Sequence, residues 1–280
     1  MSPVAVVTDS TADLGELAAK AGIAVVPLTI SFGNEHFRDG VDLTHDEFYR
    51  RLTMSPQPPA TAQPSPSAFA TLYARLLGAG ATDIISLHCS GALSGTYNSA
   101  AAAAKNIDPS RIEVIDTRSV SLGLGLLALQ AADDTRRGLD RAQIVQRARS
   151  DAPKVELYAT IPSLTYLARG GRIGQLQGIL GNVLRIVPII TLKDGEVAEY
   201  SKVRTFTRAV DQIVEIVTSR VQGRGHARVA VLHSAAPELA ARVAQRIETA
   251  IAPALLISEL VGPTVGTHTG PGAVGVVFIQ

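Results

Sequence analysis

The sequence predicts an α/β protein with two lobes. Helices should cover both faces of a parallel sheet in an N-terminal α/β/α lobe, and a mixed sheet should lie in a C-terminal α/β lobe. Strand-like and helix-like segments alternate through the first half of the 280-residue chain, as in repeated βα units. Apolar residues make up 46% of the chain, only 4% are aromatic and there is no Trp. The core must therefore consist of Ala, Val, Leu and Ile, which suits helices packed on a buried sheet. In the second half, Lys193-Asp194-Gly195 lies between two strand-like runs and indicates a hairpin.

The first lobe begins with a βα unit. Val4–Val7 is predicted to be a strand, and Thr8-Asp9-Ser10-Thr11 after it is rich in side chains that cap helices. The following helix is expected to end at Ala21, because Gly22 stands where a C-cap glycine belongs. Ala24–Leu28 is predicted to be the next strand.

Capping signals mark two further helices in this lobe. Thr44 and Glu47 have capping-box spacing, and Ser65-Pro66 begins a helix with proline at its first position. We predict that the proline-rich segment Pro56–Pro66 is a loop within the lobe. The remaining predicted elements are a strand at Ile84–Leu87, an alanine-rich helix after Thr96 and a strand ending at Asp116.

The pattern changes near residue 155, where we place the lobe boundary, with residues 1–154 in the first lobe and 155–280 in the second. The predicted helices of the second lobe are Thr207–Val221 and Leu239–Ile251. Its predicted strands are Val155–Ile161, Pro188–Leu192, Val197–Tyr200, Val229–Leu232, Ala254–Leu260 and Val274–Ile279.

Charge and cysteine content exclude several classes of function. The net charge is +1 without a long basic or acidic run, so nothing indicates a nucleic-acid partner. Cys89 is the only cysteine, which excludes an internal disulfide and fits a reducing compartment. Neither a signal peptide nor an apolar run long enough to span a bilayer is evident. We therefore expect a cytoplasmic protein.

The strongest site signal is Ser90–Tyr97, which follows a predicted strand and begins a helix. The first turn of a helix has unpaired N–H groups and a partial positive charge, so it attracts anions. Ser94 and Thr96 add hydroxyl groups, and Gly95 allows close approach of the backbone to a ligand. An ordinary Ser/Thr cap with turn glycines explains the same pattern, and the sequence does not separate the two interpretations.

Three other segments carry candidate binding residues. Thr61, in a loop before a helix, could donate a hydrogen bond to a ligand or to nearby backbone. His268 and Thr269 lie in a predicted glycine-rich loop, where the imidazole could bind an anion or be exposed. Arg172 follows two glycines, and Arg204 is a weaker case of the same kind; both suit carboxylate or phosphate recognition, a protein interface or a structural salt bridge.

Other chemistry has little support in the sequence. Cys89 and His88 lack the partners of a zinc site, and we expect no metal and no cofactor. Gly91–Gly95 reads G-A-L-S-G, which places Ser94 one position late for a nucleophile elbow. We therefore predict no catalytic residue.

Together these segments resemble the DegV family. The matching motifs occur in the family's order across nearly the whole chain. They are V-T-D-S-T-A-D-L from Val7, T-A-Q-P-S-P from Thr61, L-S-G-T-Y from Leu93, V-I-D-T from Val114, G-G-R-I from Gly170, P-I-I from Pro188 and H-T-G-P-G from His268.

The resemblance implies a two-lobed protein that binds a long-chain fatty acid and hands it to a separate kinase, which phosphorylates the carboxylate. It implies that Thr61, Ser94 and His268 hold the carboxylate, and that Arg172 supports the site or faces the partner. The head-group site would belong to residues 1–154, and residues 155–280 would bury the acyl tail. Such a carrier has no catalytic centre of its own and no membrane span, although transient contact with a membrane is compatible with its ligand.

Two alternatives remain open from the residues alone. A serine-rich helix N-terminus also suits a sugar phosphate or another small anion. A serine hydrolase using Ser94 and His268 is the other alternative, which the misplaced elbow disfavours.

Overall fold

A computed structural model describes residues 4–55, 57–179, 186–221, 223 and 226–279. The described strands are β1 Val4–Asp9, β2 Ala24–Val26, β3 Thr29–Phe32, β4 Glu35–Arg38, β5 Ala60–Ala62, β6 Asp83–His88, β7 Ile112–Asp116, β8 Val155–Thr160, β9 Val187–Lys193, β10 Glu196–Val203, β11 Arg228–His233, β12 Leu255–Leu260 and β13 Val274–Ile279. The described α-helices are α1 Glu16–Ala21, α2 His45–Met54, α3 Pro66–Gly78, α4 Thr96–Ile107, α5 Leu122–Arg136, α6 Arg141–Asp151, α7 Thr165–Arg169, α8 Phe206–Val221, α9 Pro237–Ile251 and α10 Pro263–Thr269. Short 3₁₀ turns occupy Ser10–Ala12, Ala152–Lys154 and Gly174–Ile179.

The first sheet is parallel, with strand order β2-β1-β6-β7. Side chains alternate between its two faces, so Val4 and Val6 of β1 pack with α5 while Val7 packs with α3 and α4. Helices therefore cover both faces, which confirms the predicted class of the first lobe. The predicted caps also form, because Thr44 and Ser65 each accept a backbone N–H in the first turn of their helices.

The second sheet is mixed, as predicted, with strand order β10-β9-β8-β13-β11-β12. Only the β11–β12 pair in this order is parallel, and the other neighbours run antiparallel. The predicted hairpin joins β9 and β10. Asp194 (φ 53°) and Gly195 (φ 83°) both have positive φ, the conformation that a two-residue type I′ turn requires.

Helix α5 lies between the two sheets and contacts strands of both. Nearly every position of the helix is buried, including Leu122, Leu124, Leu126 and Leu127, as expected of a helix whose first two turns, Leu122–Leu129, are apolar all round. The packing is close, since a Cβ atom on Gly125 would lie 2.7 Å from the carbonyl oxygen of Ala12. Helices α8 and α9 cover the outer face of the second sheet.

Because α5 joins both sheets, one hydrophobic cluster runs from β1 and β6 through α5 to β8, β11 and β13. From Val155, where β8 begins, the described strands belong to the second sheet. The division of the chain after residue 154 stays a prediction.

A third sheet, with strand order β4-β3-β5, was not predicted. The strand β4 reads Glu-His-Phe-Arg and is mostly exposed, so it lacks an apolar signal. The loop prediction for Pro56–Pro66 was wrong at Ala60–Ala62, because β5 forms by pairing with β3, which is distant in sequence; Pro56 lies outside the described residues. The sheet packs with α2 around a separate cluster that includes Ile30, Phe32 and Phe48.

In the part of the chain that the structure describes, no helix combines the length and the apolar character needed to cross a membrane.

Candidate functional site

A cavity of about 410 Å³ lies between the inner face of the second sheet and the end of the first sheet where β1 and β6 terminate. Ser121, the residue that precedes α5, lines it, so the cavity lies at the N-terminal end of α5. Most of its wall is aliphatic. The aliphatic residues are Leu28, Ala62, Leu93, Val120, Leu157, Ala159, Ile161, Leu167, Ile190, Leu192, Val197, Leu232, Val265 and Ala273.

Five of the predicted site residues line this same cavity: Thr61, Ser94, Arg172, His268 and Thr269. Thr61 Oγ1 lies 3.1 Å from His268 Nε2. Arg172 Nε donates to the carbonyl oxygen of Leu93 at 3.1 Å, next to Ser94. Thr61 and His268, which are 207 positions apart in sequence, are thus neighbours at the cavity wall.

Three other predicted site residues are placed elsewhere. Gly95 is not a lining residue, because the side chain of Gln63 occupies the space beside it. Thr96 is fully buried, and its Oγ1 lies 2.8 Å from Ser94 Oγ. Arg204 is exposed just after β10, outside the cavity.

Ser94 stands at the start of α4, where its position is set by a short turn. Its backbone N–H donates to the carbonyl oxygen of Ser90 at 3.1 Å, and its Oγ accepts from the backbone N–H of Thr96 at 3.3 Å. The N-cap of α4 is Gly95, which has no side chain to cap the helix. The first turn of α4 therefore retains the partial positive charge that favours an anion.

His268 lies in the last turn of α10, so the prediction of a glycine-rich loop was wrong for Thr267–Thr269. Pro263 at the first helical position suits helix initiation. The helix ends at Gly270, with φ 68°, and the glycines that suggested a loop lie just beyond it. The helix places Thr264 and His268 four residues apart on the same face, and both line the cavity.

Two buried carboxylates hold the start of α10. Asp13 Oδ1 accepts from the Gly262 N–H at 2.9 Å, and Asp39 Oδ2 accepts from the Thr264 N–H at 3.2 Å. Burial raises the pKa of Asp39 to about 6 and raises the pKa of Asp13 well above its ordinary value. These contacts fix the helix that carries His268.

The imidazole of His268 is neutral at pH 7. Burial, with a smaller contribution from the charge of Arg172, lowers its pKa to about 4. A neutral ring has one N–H and one bare nitrogen. Nε2 faces Thr61, whereas Nδ1 is buried without a hydrogen-bond partner among the described residues. Gly170 makes room for the ring, because a Cβ atom there would lie 2.6 Å from His268 Cε1.

Arg172 brings a positive charge to the cavity without a paired carboxylate. Its guanidinium donates to the carbonyl oxygens of Leu93 and Gly170, at 3.1 and 2.6 Å. Among the described residues, no acidic group lies within ion-pair distance of it, whereas arginines such as Arg147 and Arg228 have such partners. An arginine fixed by carbonyls at the wall of a cavity is suited to binding an anionic group.

A buried Ser86–His88–Asp9 chain resembles a catalytic triad in its contacts but not in its access. Ser86 Oγ lies 2.7 Å from His88 Nε2, and His88 Nδ1 lies 2.9 Å from Asp9 Oδ2. All three residues are 0% exposed. Asp9 also accepts from the backbone N–H groups of Thr11 and Cys89, so the chain fixes two residues that line the cavity.

The sequence reasoning missed several lining residues, namely Thr11, Gln63, Cys89 and Ser121. Gln63 belongs to the T-A-Q-P-S-P motif, and that was the only signal in the sequence for its role. The described residues contain no group of three or more His, Cys, Asp or Glu side chains arranged to hold a metal ion.

Comparison with known proteins places the chain among related sequences and structures. A family model described as "uncharacterised protein, DegV family" matches residues 3–280. A DegV domain-containing protein of Streptomyces coelicolor is 37% identical over 278 residues, covering 98% of this chain and 97% of the relative. The structure of a fatty-acid-binding DegV family protein from Thermus thermophilus has a TM-score of 0.93 and 32% identity, with 99% of each chain covered. A stearic-acid-binding protein from Eubacterium ventriosum has a TM-score of 0.89 and 26% identity, covering 98% of this chain and 97% of its own.

We predict that His268 of the ligand-free protein stays neutral until the pH falls to about 4. In Arg172→Ala the pKa of His268 should rise, because a neighbouring positive charge no longer opposes protonation. NMR titration of the imidazole measures both values, with Arg169→Ala as the matched control. A wild-type pKa near 6.5, or no rise in Arg172→Ala, would contradict this electrostatic account.

Proposed function

The chain belongs to the DegV family, and from this premise we propose that it binds one long-chain fatty acid and presents the carboxylate to a separate kinase, which forms the acyl phosphate. The observation that carries the proposal is an aliphatic cavity whose wall also holds Thr61, Ser94, His268 and Arg172. In this proposal the protein has no catalytic centre of its own and works in the cytoplasm.

The aliphatic wall supports a hydrocarbon ligand. Each buried methylene contributes about 0.8 kcal/mol, so about 14 of them contribute about 11 kcal/mol before costs. Association and ordering remove several kcal/mol of this. Side chains such as Leu157, Ile190 and Leu232 line the wall, and an acyl chain in contact with them buries no unpaired polar group. A soluble sugar would leave its hydroxyl groups without hydrogen-bond partners there, at a cost in free energy.

The cavity volume supports a chain of about 16 carbons. An apolar cavity of about 150 Å³ holds benzene, which corresponds to roughly 25 Å³ per carbon. The volume here is about 410 Å³, which matches about 16 carbons on that scale. The stearic acid bound by the Eubacterium ventriosum protein is of similar length.

The polar groups are suited to a carboxylate at the end of such a chain. Ser94 and Thr61 offer hydroxyl groups, and His268 offers a neutral imidazole that costs little to desolvate. Arg172 supplies the positive charge that offsets the desolvation of the carboxylate. Because Arg172 is only partly buried, a head group beside it would be accessible to a partner protein.

The exposed Arg204 is the candidate contact for the kinase. It lies outside the cavity, just after β10, so it is not needed to hold the acid. An exposed arginine near a binding interface steers association with an acidic partner surface. Arg172 could serve both the ligand and the partner.

A small-anion module remains the second candidate, because the N-terminal turn of α4 with Ser94 and Arg172 would also suit a phosphate. The hydrolase alternative has less support. In the described part of the chain, Ser94 Oγ pairs with Thr96 Oγ1 and His268 Nε2 pairs with Thr61 Oγ1, rather than with each other.

We predict that purified protein carries, or takes up, a fatty acid of about 16 carbons. Palmitate should bind more than about 100-fold more tightly than octanoate, because eight fewer methylenes are buried. Denaturation followed by lipid mass spectrometry, and titration with both acids, measure this. Absence of any acyl chain together with no binding of added acids would count against the proposal, and binding of a phosphorylated sugar would favour the small-anion module.

We predict that Ser94→Ala, Thr61→Val and His268→Gln each weaken palmitate binding by about 10-fold or more, because each removes a hydrogen-bonding group from a charged ligand. Isothermal titration measures the affinities. Thr249→Ala on α9 is the control, since it removes a hydroxyl that donates to the Gln245 carbonyl on the same helix, away from the cavity. Wild-type affinity in a variant would remove that residue from the site, and labelling of Ser94 by a fluorophosphonate would instead support a hydrolase.

We predict that acyl phosphate forms only when a fatty acid kinase and ATP are added. Arg204→Ala should lower its rate severalfold without changing palmitate affinity, whereas Arg172→Ala should lower both. Arg242→Ala, an exposed arginine on α9, is the control. Acyl phosphate formation by the chain alone would refute the carrier role, and an unchanged rate in Arg204→Ala would remove that residue from the interface.

A further inference from the structure

The side chain of Gln63 lies directly over Gly95. A Cβ atom on residue 95 would lie 2.6 Å from Gln63 Cδ and 2.7 Å from Gln63 Nε2, so the amide would have to move from its position over residue 95. The backbone does not require glycine, because φ of Gly95 is −74°, a value open to every residue. Glycine at position 95 therefore serves to leave space for the amide of Gln63.

The amide is also bonded to helix α4. Gln63 Nε2 donates to Ser99 Oγ at 3.2 Å, and Ser99 lies one turn into α4, with its backbone N–H donating to the Gly95 carbonyl at 3.0 Å. Ser99 is buried at 5% exposure, so the contact joins Gln63 to a fixed point of the helix that begins beside Ser94.

Thr61 needs such a link because its own strand belongs to a different part of the core. The strand β5 has three residues, at the edge of the small sheet, and pairs only with β3 in the described residues. That sheet packs in the cluster around Ile30 and Phe48, whereas α4 packs in a separate cluster with α3. Two residues after Thr61, Gln63 connects the two parts.

We infer that Gln63 is a positioning residue for the head-group site, in which its amide, lying over Gly95 and bonded to Ser99, holds Thr61 at its position beside His268. Because Gln63 and Gly95 make one contact, substitution of either residue breaks the same link. The effect on ligand affinity rests on the proposed function, whereas the placement of Thr61 does not.

A double-mutant cycle tests the inference with palmitate as the probe. Gln63→Ala and Gly95→Ala should each weaken palmitate binding by about threefold to tenfold, the size expected for one partly exposed hydrogen bond. The double variant should lose no more than Gln63→Ala alone, because the methyl group added at position 95 then has no amide to displace. Gln245→Ala on α9 and Gly78→Ala, where a Cβ atom would meet nothing within 4 Å, are the matched controls. Additive losses, or wild-type affinity in Gln63→Ala, would overturn the inference.

A ligand-free crystal structure of Gly95→Ala separates this result from the fate of the proposed function. Thr61 Oγ1 should move away from His268 Nε2, from which it lies 3.1 Å in the wild type. The same displacement is expected in Gln63→Ala and in Gln63→Ala/Gly95→Ala, because all three variants lack the link. If wild-type protein binds no fatty acid, the proposed function fails and the position of Thr61 still decides the inference. An unmoved Thr61 in Gly95→Ala would overturn it.

Discussion

The burial of α5 between two sheets is the constraint on which the rest of the structure depends. The first two turns of α5, Leu122–Leu129, are apolar on all sides and must be covered on all sides, so the helix packs between the parallel sheet and the mixed sheet. Before the helix begins, at Ser121, the sheets remain separated, and no described residue fills the gap. The cavity is the space left there, and Ser121 itself lines it.

The polar side chains of the cavity come from several elements that meet at this end of α5. β1 and β6 end there, and Leu93 and Ser94, just before α4, line the gap. Helix α10 adds His268 from the far end of the chain, and Arg172 adds a positive charge held by carbonyl oxygens. Among the described residues this cation has no acidic partner, and its guanidinium is held by the carbonyl oxygens of Leu93 and Gly170.

Local signals in the sequence were sufficient for much of the fold. The turn at Asp194-Gly195 needs two positive φ values, and only a few residues supply them, so this hairpin was predictable. The strand β4 and α10 were missed because their stability comes from partners distant in sequence, such as Asp39 for α10. Motif resemblance selected Thr61, Ser94 and His268, whereas Gln63 became evident only from its contact with Gly95. The cavity itself was beyond sequence reasoning, because residues such as Leu157 and Ile190 have the same pattern whether they face a core or an acyl chain.

The buried carboxylates that hold α10 imply a trade-off between function and thermodynamic stability. The pKa of Asp39 is about 6 in the folded protein, above its ordinary value of 3.8, so the folded state binds this proton more tightly than the unfolded state. The contribution of Asp39 to the free energy of unfolding is therefore complete below pH 3.8 and is lost as the pH rises through about 6. At neutral pH the ionised group costs on the order of 3 kcal/mol, and Asp13 adds to the cost in the same direction. The fold thus retains a destabilising buried carboxylate where it fixes the helix that bears His268. Such a compromise is typical of proteins that maintain a binding geometry at the expense of thermodynamic stability.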